Sequence, residues 1–327
     1  MTEILATPKG TAWPRILLVR ADAPDPTDLE AALKAGAFDG LRKATAELGP
    51  AGTMALLTDA GLRGRGGAGF PTAEKWRAAA AADTDRRYVV ANGYEADPAT
   101  FTDRTLLERD PYAVIEGTAI AAFAVGADEA LIAVRSEATA VVAALEKAIA
   151  EAEEAGFIGP DALGSGRDLV ITLRPVQGAW MLGEETVLLK ALEGKRGQPE
   201  QRPPYPTERG LFGRPTVVQN VQTLATVPWI LVNGAERFRA FGSAASPGTI
   251  LVQVRGARRS GVAEVPLGTP LRDIVESGLC DHERLATLPF TSGMRYFRSE
   301  LDDHVLRSSC PAGVCHPIAL VAAGATR

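Results

Sequence analysis

Residues 61–72, Gly-Leu-Arg-Gly-Arg-Gly-Gly-Ala-Gly-Phe-Pro-Thr, are the part of this sequence best equipped for chemistry. Four glycines between Gly64 and Gly69 let the main chain approach a ligand closely and adopt positive φ. A run of N–H groups just ahead of a helix start suits an anion. Arg63 and Arg65, set among the glycines, favour a phosphate over a plain flexible surface turn. The spacing Gly64-x-Gly66-x-x-Gly69 also matches the dinucleotide fingerprint, but that fingerprint must follow a strand. The preceding residues, Thr53 to Gly61, read instead as helical, which argues against an ordinary Rossmann dehydrogenase.

Other residues carry weaker signals. Lys75 lies within the first turns of the helix expected from Pro71, and its amine can reach back to a phosphate or ribityl oxygen. Asn92-Gly-Tyr-Glu-Ala-Asp-Pro98 follows a buried apolar run directly. In open α/β sheets ligands bind beyond the carboxyl ends of the strands. An Asn there pairs with the amide edge of a ring, and Glu95 and Asp97 accept from hydroxyls. The same segment also reads as a polar turn with an Asx cap. Gly183-Glu-Glu-Thr186 opens a helix, where acidic residues ordinarily only complement the dipole. Asn220 and Thr223 share a helix face by their spacing, so both can hold a phosphate or simply cap.

Those residues need a frame. Helical spacing over residues 29–60 breaks near Gly49-Pro50, and a helix is expected from Pro71. Strands are expected at 88–91, 130–134 and 168–173, and helices at 111–126, 137–155 and 183–192. Residues 92–104 and 195–216 read as polar or ordered loop, and 217–232 as helix. Strand–helix alternation of this kind predicts an α/β domain with a mostly parallel sheet. The character changes past residue 244, where Thr249–Val254 and Gly261–Val265 read as strands and Thr269–Ser277 as a helix. The expected division is an N-terminal tail at 1–27, the α/β domain at 28–244, a small α+β domain at 245–300 and an irregular tail at 301–327.

Composition narrows the function. The chain has 327 residues, 46% hydrophobic and 23% charged, which suits a folded protein with a large core. A net charge of −5 argues against a nucleic-acid partner. The sequence holds no run of eighteen apolar residues that would argue for membrane insertion, and no leader is evident at the N-terminus. Three cysteines fit a reducing cytoplasm.

Taken together, these runs resemble the NADH-oxidising flavoprotein subunit of respiratory complex I, and its relatives in bidirectional hydrogenases and NAD-dependent formate dehydrogenases. The matching blocks are residues 61–72, Gly183-Glu-Glu-Thr186, Leu192-Glu-Gly-Lys-Arg-Gly-Gln-Pro199, Gly210-Leu-Phe-Gly-Arg-Pro-Thr216 and Val227-Pro-Trp229. Gly261-Val-Ala-Glu-Val-Pro-Leu-Gly268 resembles that family's soluble-ligand-binding β-grasp domain. The resemblance implies a Rossmann-like flavin-binding fold. It implies an FMN held by Gly64, Arg65, Gly66, Lys75, Asn92, Tyr94 and Glu95, and from the later blocks by Gly183, Glu184, Val218, Asn220 and Thr223. NADH would be met by Gly67, Ala68, Phe70, Lys75, Asp97, Glu185 and Tyr205, with Glu95 and Glu185 as positioning groups and the flavin itself doing the chemistry.

Departures from the family pattern accompany the matches. Tyr94 stands where an acid is usual, Trp180 where Tyr is, Leu182 where Cys is, and Ala78 where an aromatic is. Gln219 and Gln222 flank Asn220 in place of Asn and Glu. The family's cubane cluster needs four cysteines, whereas here only Cys280, Cys310 and Cys315 are present, so no iron–sulfur cluster and no metal is expected in this chain. Electrons would then leave for an outside iron–sulfur protein such as a ferredoxin, for example one serving a monooxygenase. The alternative is a flavin-binding assembly subunit without catalysis.

Overall fold

The computed structural model describes residues 2–5, 13–178, 180–254 and 261–270, together with Arg298, Ser299 and Asp303. Its centre is a four-stranded, wholly parallel sheet in the order β4-β3-β2-β5, formed by β2 (Tyr88–Gly93), β3 (Glu129–Arg135), β4 (Val170–Val176) and β5 (Thr216–Asn220). The fold is α/β with a parallel sheet, as the strand–helix alternation predicts, and Rossmann-like, as the family resemblance implies.

Period-two patterning buries both faces of this sheet, as parallel sheets require. Val89 and Ala91 of β2, with Ala130, Ile132 and Val134 of β3, join the main core. Tyr88 and Val90, with Leu131 and Ala133, join a second core on the other face. The main core is completed by α3 (Gly49–Ala60), α4 (Thr72–Ala80), α6 (Pro111–Val125), α7 (Thr139–Glu154) and α9 (Val221–Asn233). The second core is closed by α8 (Glu185–Leu192) and the turn at Leu211. The shorter helices are α1 (Leu29–Lys34), α2 (Asp39–Lys43), α5 (Thr102–Arg109) and α10 (Ala235–Arg239). Helix α6 crosses α9 so closely that a Cβ on Gly117 would lie 2.0 Å from the Leu224 carbonyl oxygen.

Three elements differ from the sequence expectation. Residues 217–232 are not one helix: Thr216–Asn220 is the strand β5, paired with β2, and the helix starts only at Val221. The apolar pair Val217-Val218 is buried on opposite sheet faces, an arrangement that helical spacing imitates over so short a run. The polar stretch 92–104 ends inside a helix, α5, whose N–H groups at Asp103 and Arg104 are capped by Glu95 from eight and nine residues upstream. The strand at 168–173 is displaced to 170–176.

The N-terminal residues are not a bare tail. Strand β1 (Glu3–Ile4) pairs in parallel with β9 (Gly261–Pro266), which runs antiparallel to β8 (Thr249–Val254). A two-residue ladder joins β6 (Gly242–Ser243) to β7 (Ser246–Pro247) just before it. Ile16, Leu17 and Leu18 are buried, and their N–H groups converge at 2.9–3.1 Å on the carboxylate of Glu264 in β9, which also accepts from the Thr249 hydroxyl. The expected helix at 269–277, the rest of the 245–300 segment, the 301–327 tail and the cysteines lie largely or wholly outside the described residues.

Candidate functional site

The glycine segment is preceded by the helix α3, not by a strand, so the dinucleotide-fingerprint reading fails on its own structural condition. The segment is instead a loop closed on itself: Gly64 N donates to Phe70 O at 2.9 Å, and Thr72 N to Leu62 O at 2.9 Å. Gly67 and Gly69 take φ of 117° and 61°, which a side chain would strain. The main-chain N–H groups of Gly66, Gly67, Ala68 and Gly69 donate to no group among the described residues.

The two arginines of the loop serve its architecture. Arg63 donates to Gly69 O and Ala245 O. Arg65 is buried, and its guanidinium donates to Thr249 O, Ser246 Oγ and Pro247 O at 2.5–3.3 Å. Burial pulls its pKa down to about 10, which leaves it charged at neutral pH. Its side chain is therefore committed to the 246–249 segment, and only its backbone reaches the site, donating to Thr223 Oγ1 at 2.8 Å. Sequence reasoning, which assigns these charges to a phosphate, does not foresee that use.

Facing the loop are the carboxyl ends of two neighbouring strands. Asn92 on β2 and Asn220 on β5 are register partners. Asn220 caps α9, accepting from Gln222 N at 2.9 Å. A Cβ on Gly66 would lie 3.2 Å from Asn220 Cβ, so glycine lets the loop and the strand end close together. Gln219, on the same strand end, is buried near Gly64, and its Oε1 accepts no hydrogen bond among the described residues. Unpaired buried polar groups are costly. The free donors on the loop and the free acceptor beneath it are groups that a ligand with an anionic end and ring amide edges would satisfy.

Lys75 connects this region to a second patch. Its Nζ lies 3.1 Å from Val218 O and 3.0 Å from Glu185 Oε2. Arg202 holds the other oxygen of Glu185 at 3.0 Å and also bridges Glu184. Glu184 caps α8 through the N–H groups of Thr186 and Val187. Burial works to raise its pKa, but those donors and Arg202 outweigh it and hold the carboxylate below its usual range. Gly183 packs against the 93–97 turn, where its Cβ would meet Ala96 Cβ at 2.9 Å.

The remaining expected residues divide. Phe70 and Tyr205 present exposed aromatic surface. Asp97 closes an Asx turn onto Ala99 N. The Tyr94 ring is buried with Leu182 and Val187 under the Arg135 guanidinium, 5.0 Å from the ring centroid, and its hydroxyl has no partner among the described residues. Burial raises its pKa. Glu95, at φ 47°, turns its carboxylate to the start of α5. Glu95 therefore uses its side chain to shape the 92–104 segment, while the Tyr94 ring packs against α8 and the Leu182 turn.

One residue absent from the sequence reading stands at the centre of these contacts. Asp103, in the first turn of α5, accepts from Asn220 Nδ2 at 2.7 Å and from Gln222 Nε2 at 2.6 Å. Its only sequence signal is an acid near a helix start; its partners lie more than a hundred residues away.

The chain is 43% identical to an NADH-quinone oxidoreductase subunit of Rhizobium meliloti (strain 1021), over 80% of this chain and 62% of that protein. It is 41% identical to the NADP-reducing hydrogenase subunit HndC of Solidesulfovibrio fructosivorans, over 77% of this chain and 51% of the relative. The chain thus spans between half and two thirds of the length of these curated relatives. Its fold is similar to that of an NAD+-reducing NiFe hydrogenase in the H2-reduced state, with a TM-score of 0.71 and 35% identity, covering 85% of this chain and 44% of that one. The sequence pattern of the Nuo51 FMN-binding domain matches residues 57–229, which hold the glycine loop, the whole parallel sheet and most of α9. The chain belongs to the Nuo51 FMN-binding domain family.

Proposed function

We propose that this chain is an NADH-oxidising flavoprotein module that passes electrons to an iron–sulfur protein of the ferredoxin type in the cytoplasm. The observation that carries the reading is an exposed glycine loop whose N–H groups at Gly66–Gly69 donate to no group among the described residues, packed through Gly64, Arg65 and Gly66 against Gln219, Thr223 and Asn220. When bound, FMN supplies a two-electron acceptor for hydride that can release electrons one at a time.

The chain's own groups bind and orient. The loop N–H groups and the Thr223 hydroxyl suit the ribityl-phosphate portion. Asn92, whose Oδ1 already accepts from Tyr94 N, keeps its amide hydrogens for a ring edge. Lys75 places a positive charge beside the carboxyl end of β5, held there by Glu185 and the Val218 carbonyl. Exposed faces of Phe70 and Tyr205 offer stacking surface for an adenine. Acids at Glu185 and Asp97 disfavour a 2′-phosphate, whereas Arg202, 3.0 Å from Glu185, favours one, so these charges lean to NADH without excluding NADPH. Catalysis on this account is the alignment of two rings, with no proton transfer asked of a side chain.

Anaerobic addition of NADH to the flavin-loaded chain tests the activity. The visible flavin band should bleach, and an added ferredoxin should then be reduced. A yellow protein that NADH never bleaches supports the assembly-subunit alternative, and bleaching without transfer to any ferredoxin removes that acceptor class.

A further inference from the structure

We propose that Asp103 is a positioning residue of the cofactor site, acting through the carboxamides of Asn220 and Gln222. The inference rests on the flavin reading of the loop and strand ends. Asp103 is 7% exposed, and each carboxylate oxygen takes one amide hydrogen, from Asn220 Nδ2 at 2.7 Å and from Gln222 Nε2 at 2.6 Å. These are the short lengths of bonds to a charged acceptor.

The consequence for Asn220 is a fixed carboxamide. Its oxygen is held by Gln222 N and one amide hydrogen by Asp103, so the orientation of the carboxamide is set, and its Cβ lies against Gly66. Gln222 is fixed as well, since its Oε1 accepts from Leu251 N of β8 at 3.1 Å. One carboxylate therefore joins α5, the start of α9 and the edge of the small sheet at the rim of the loop.

A carboxylate is a costly way to tie elements together. The hydrogen-bond partners of Asp103 carry no positive charge, and burial, with the nearby Glu95 charge, pushes its pKa up to about 6. Its neighbours Asn220, Gln222 and Thr102 are neutral. A protonated acid becomes a donor on one oxygen and can no longer accept from both amides. Buried acids that remain ionised near neutrality at such expense cluster at functional sites.

The test is FMN affinity, measured by flavin-fluorescence quenching, for the wild type, Asp103→Asn, Asn220→Ala and the double variant. Asp103→Asn should weaken binding roughly ten- to a hundredfold, the range for a lost hydrogen bond to a charged group. Added to Asn220→Ala it should cost less than it does alone, because part of its effect runs through Asn220 and only the part through Gln222 remains. Wild-type affinity should also fall as pH drops through about 6, beyond the fall seen in Asp103→Asn, which shares the titration of the flavin phosphate. Should Asp103→Asn fail to fold, Gln222→Glu serves instead: a second acid against Asp103 should move the pH of that fall upward. Wild-type affinity in Asp103→Asn, fully multiplicative losses in the double variant, or an unmoved profile in Gln222→Glu overturns the proposal while the flavin reading stands. A wild-type chain that binds no FMN overturns both.

Discussion

Arg63 and Arg65 sit among glycines, yet both direct their charge onto the protein's own carbonyls. A sequence displays the charge and not its direction: both side chains are spent within the protein, and the Arg65 N–H goes to Thr223. Asn220 and Thr223 are legible because a capping Asn and a Thr one turn on are local signals. Asp103 is not, because its meaning depends on Asn220 and Gln222 across the chain. Arg65→Ala leaves three acceptors at 246–249 without their donor, and denaturant unfolding should show a loss of about 2–4 kcal/mol. Arg63→Ala, at a more exposed site, should cost under about 1 kcal/mol. Equal losses for the two would contradict this division of labour.

Elements are legible where one pattern runs long enough. Helix α6, buried on nearly every side, and α7, with its regular apolar stripe, announce themselves. The five residues of β5 do not, because Val217 and Val218 continue smoothly into the apolar face of α9 and only the pairing with β2 separates them. Helix α5 stays hidden because its cap comes from Glu95 rather than from an adjacent Ser or Asp. The crossing of α6 and α9 sets where Asn220 and Thr223 stand. Gly117→Ala forces those helices apart, since a methyl there overlaps the Leu224 carbonyl. A stability loss of about 3 kcal/mol is expected from thermal or urea unfolding, and a neutral substitution would show that the crossing yields.

At the scale of the whole molecule, buried acids tie distant segments together. Glu116 on α6 accepts from Leu41 N on α2 at 3.1 Å, and near it Arg20 pairs with Asp110 at 3.0 Å. Burial, only partly offset by Arg20, pushes the Glu116 pKa up to about 7 from 4.5. The folded state thus holds a proton that the unfolded state has released, and stability contributed by this group is full below pH 4.5 and falls as pH rises through about 7. Against wild type, Glu116→Gln should therefore gain about 3 kcal/mol in relative stability between pH 4.5 and pH 8. Parallel pH profiles for the two proteins would contradict that assignment.

Among the described residues no helix is long and apolar enough to cross a membrane, and no cluster of acids, histidines or cysteines could hold a metal ion. The chemistry assigned to this chain rests on one cradle, in which main-chain amides from the glycine loop meet the ends of β2 and β5. Titration of the flavin-free chain with FMN and with riboflavin, followed by flavin-fluorescence quenching, examines that cradle most directly. Saturable one-to-one binding of FMN, much tighter than that of riboflavin, is the predicted result, because the free N–H groups of Gly66–Gly69 are matched to the phosphate. Equal affinity for the two flavins, or no saturable binding of either, would contradict it.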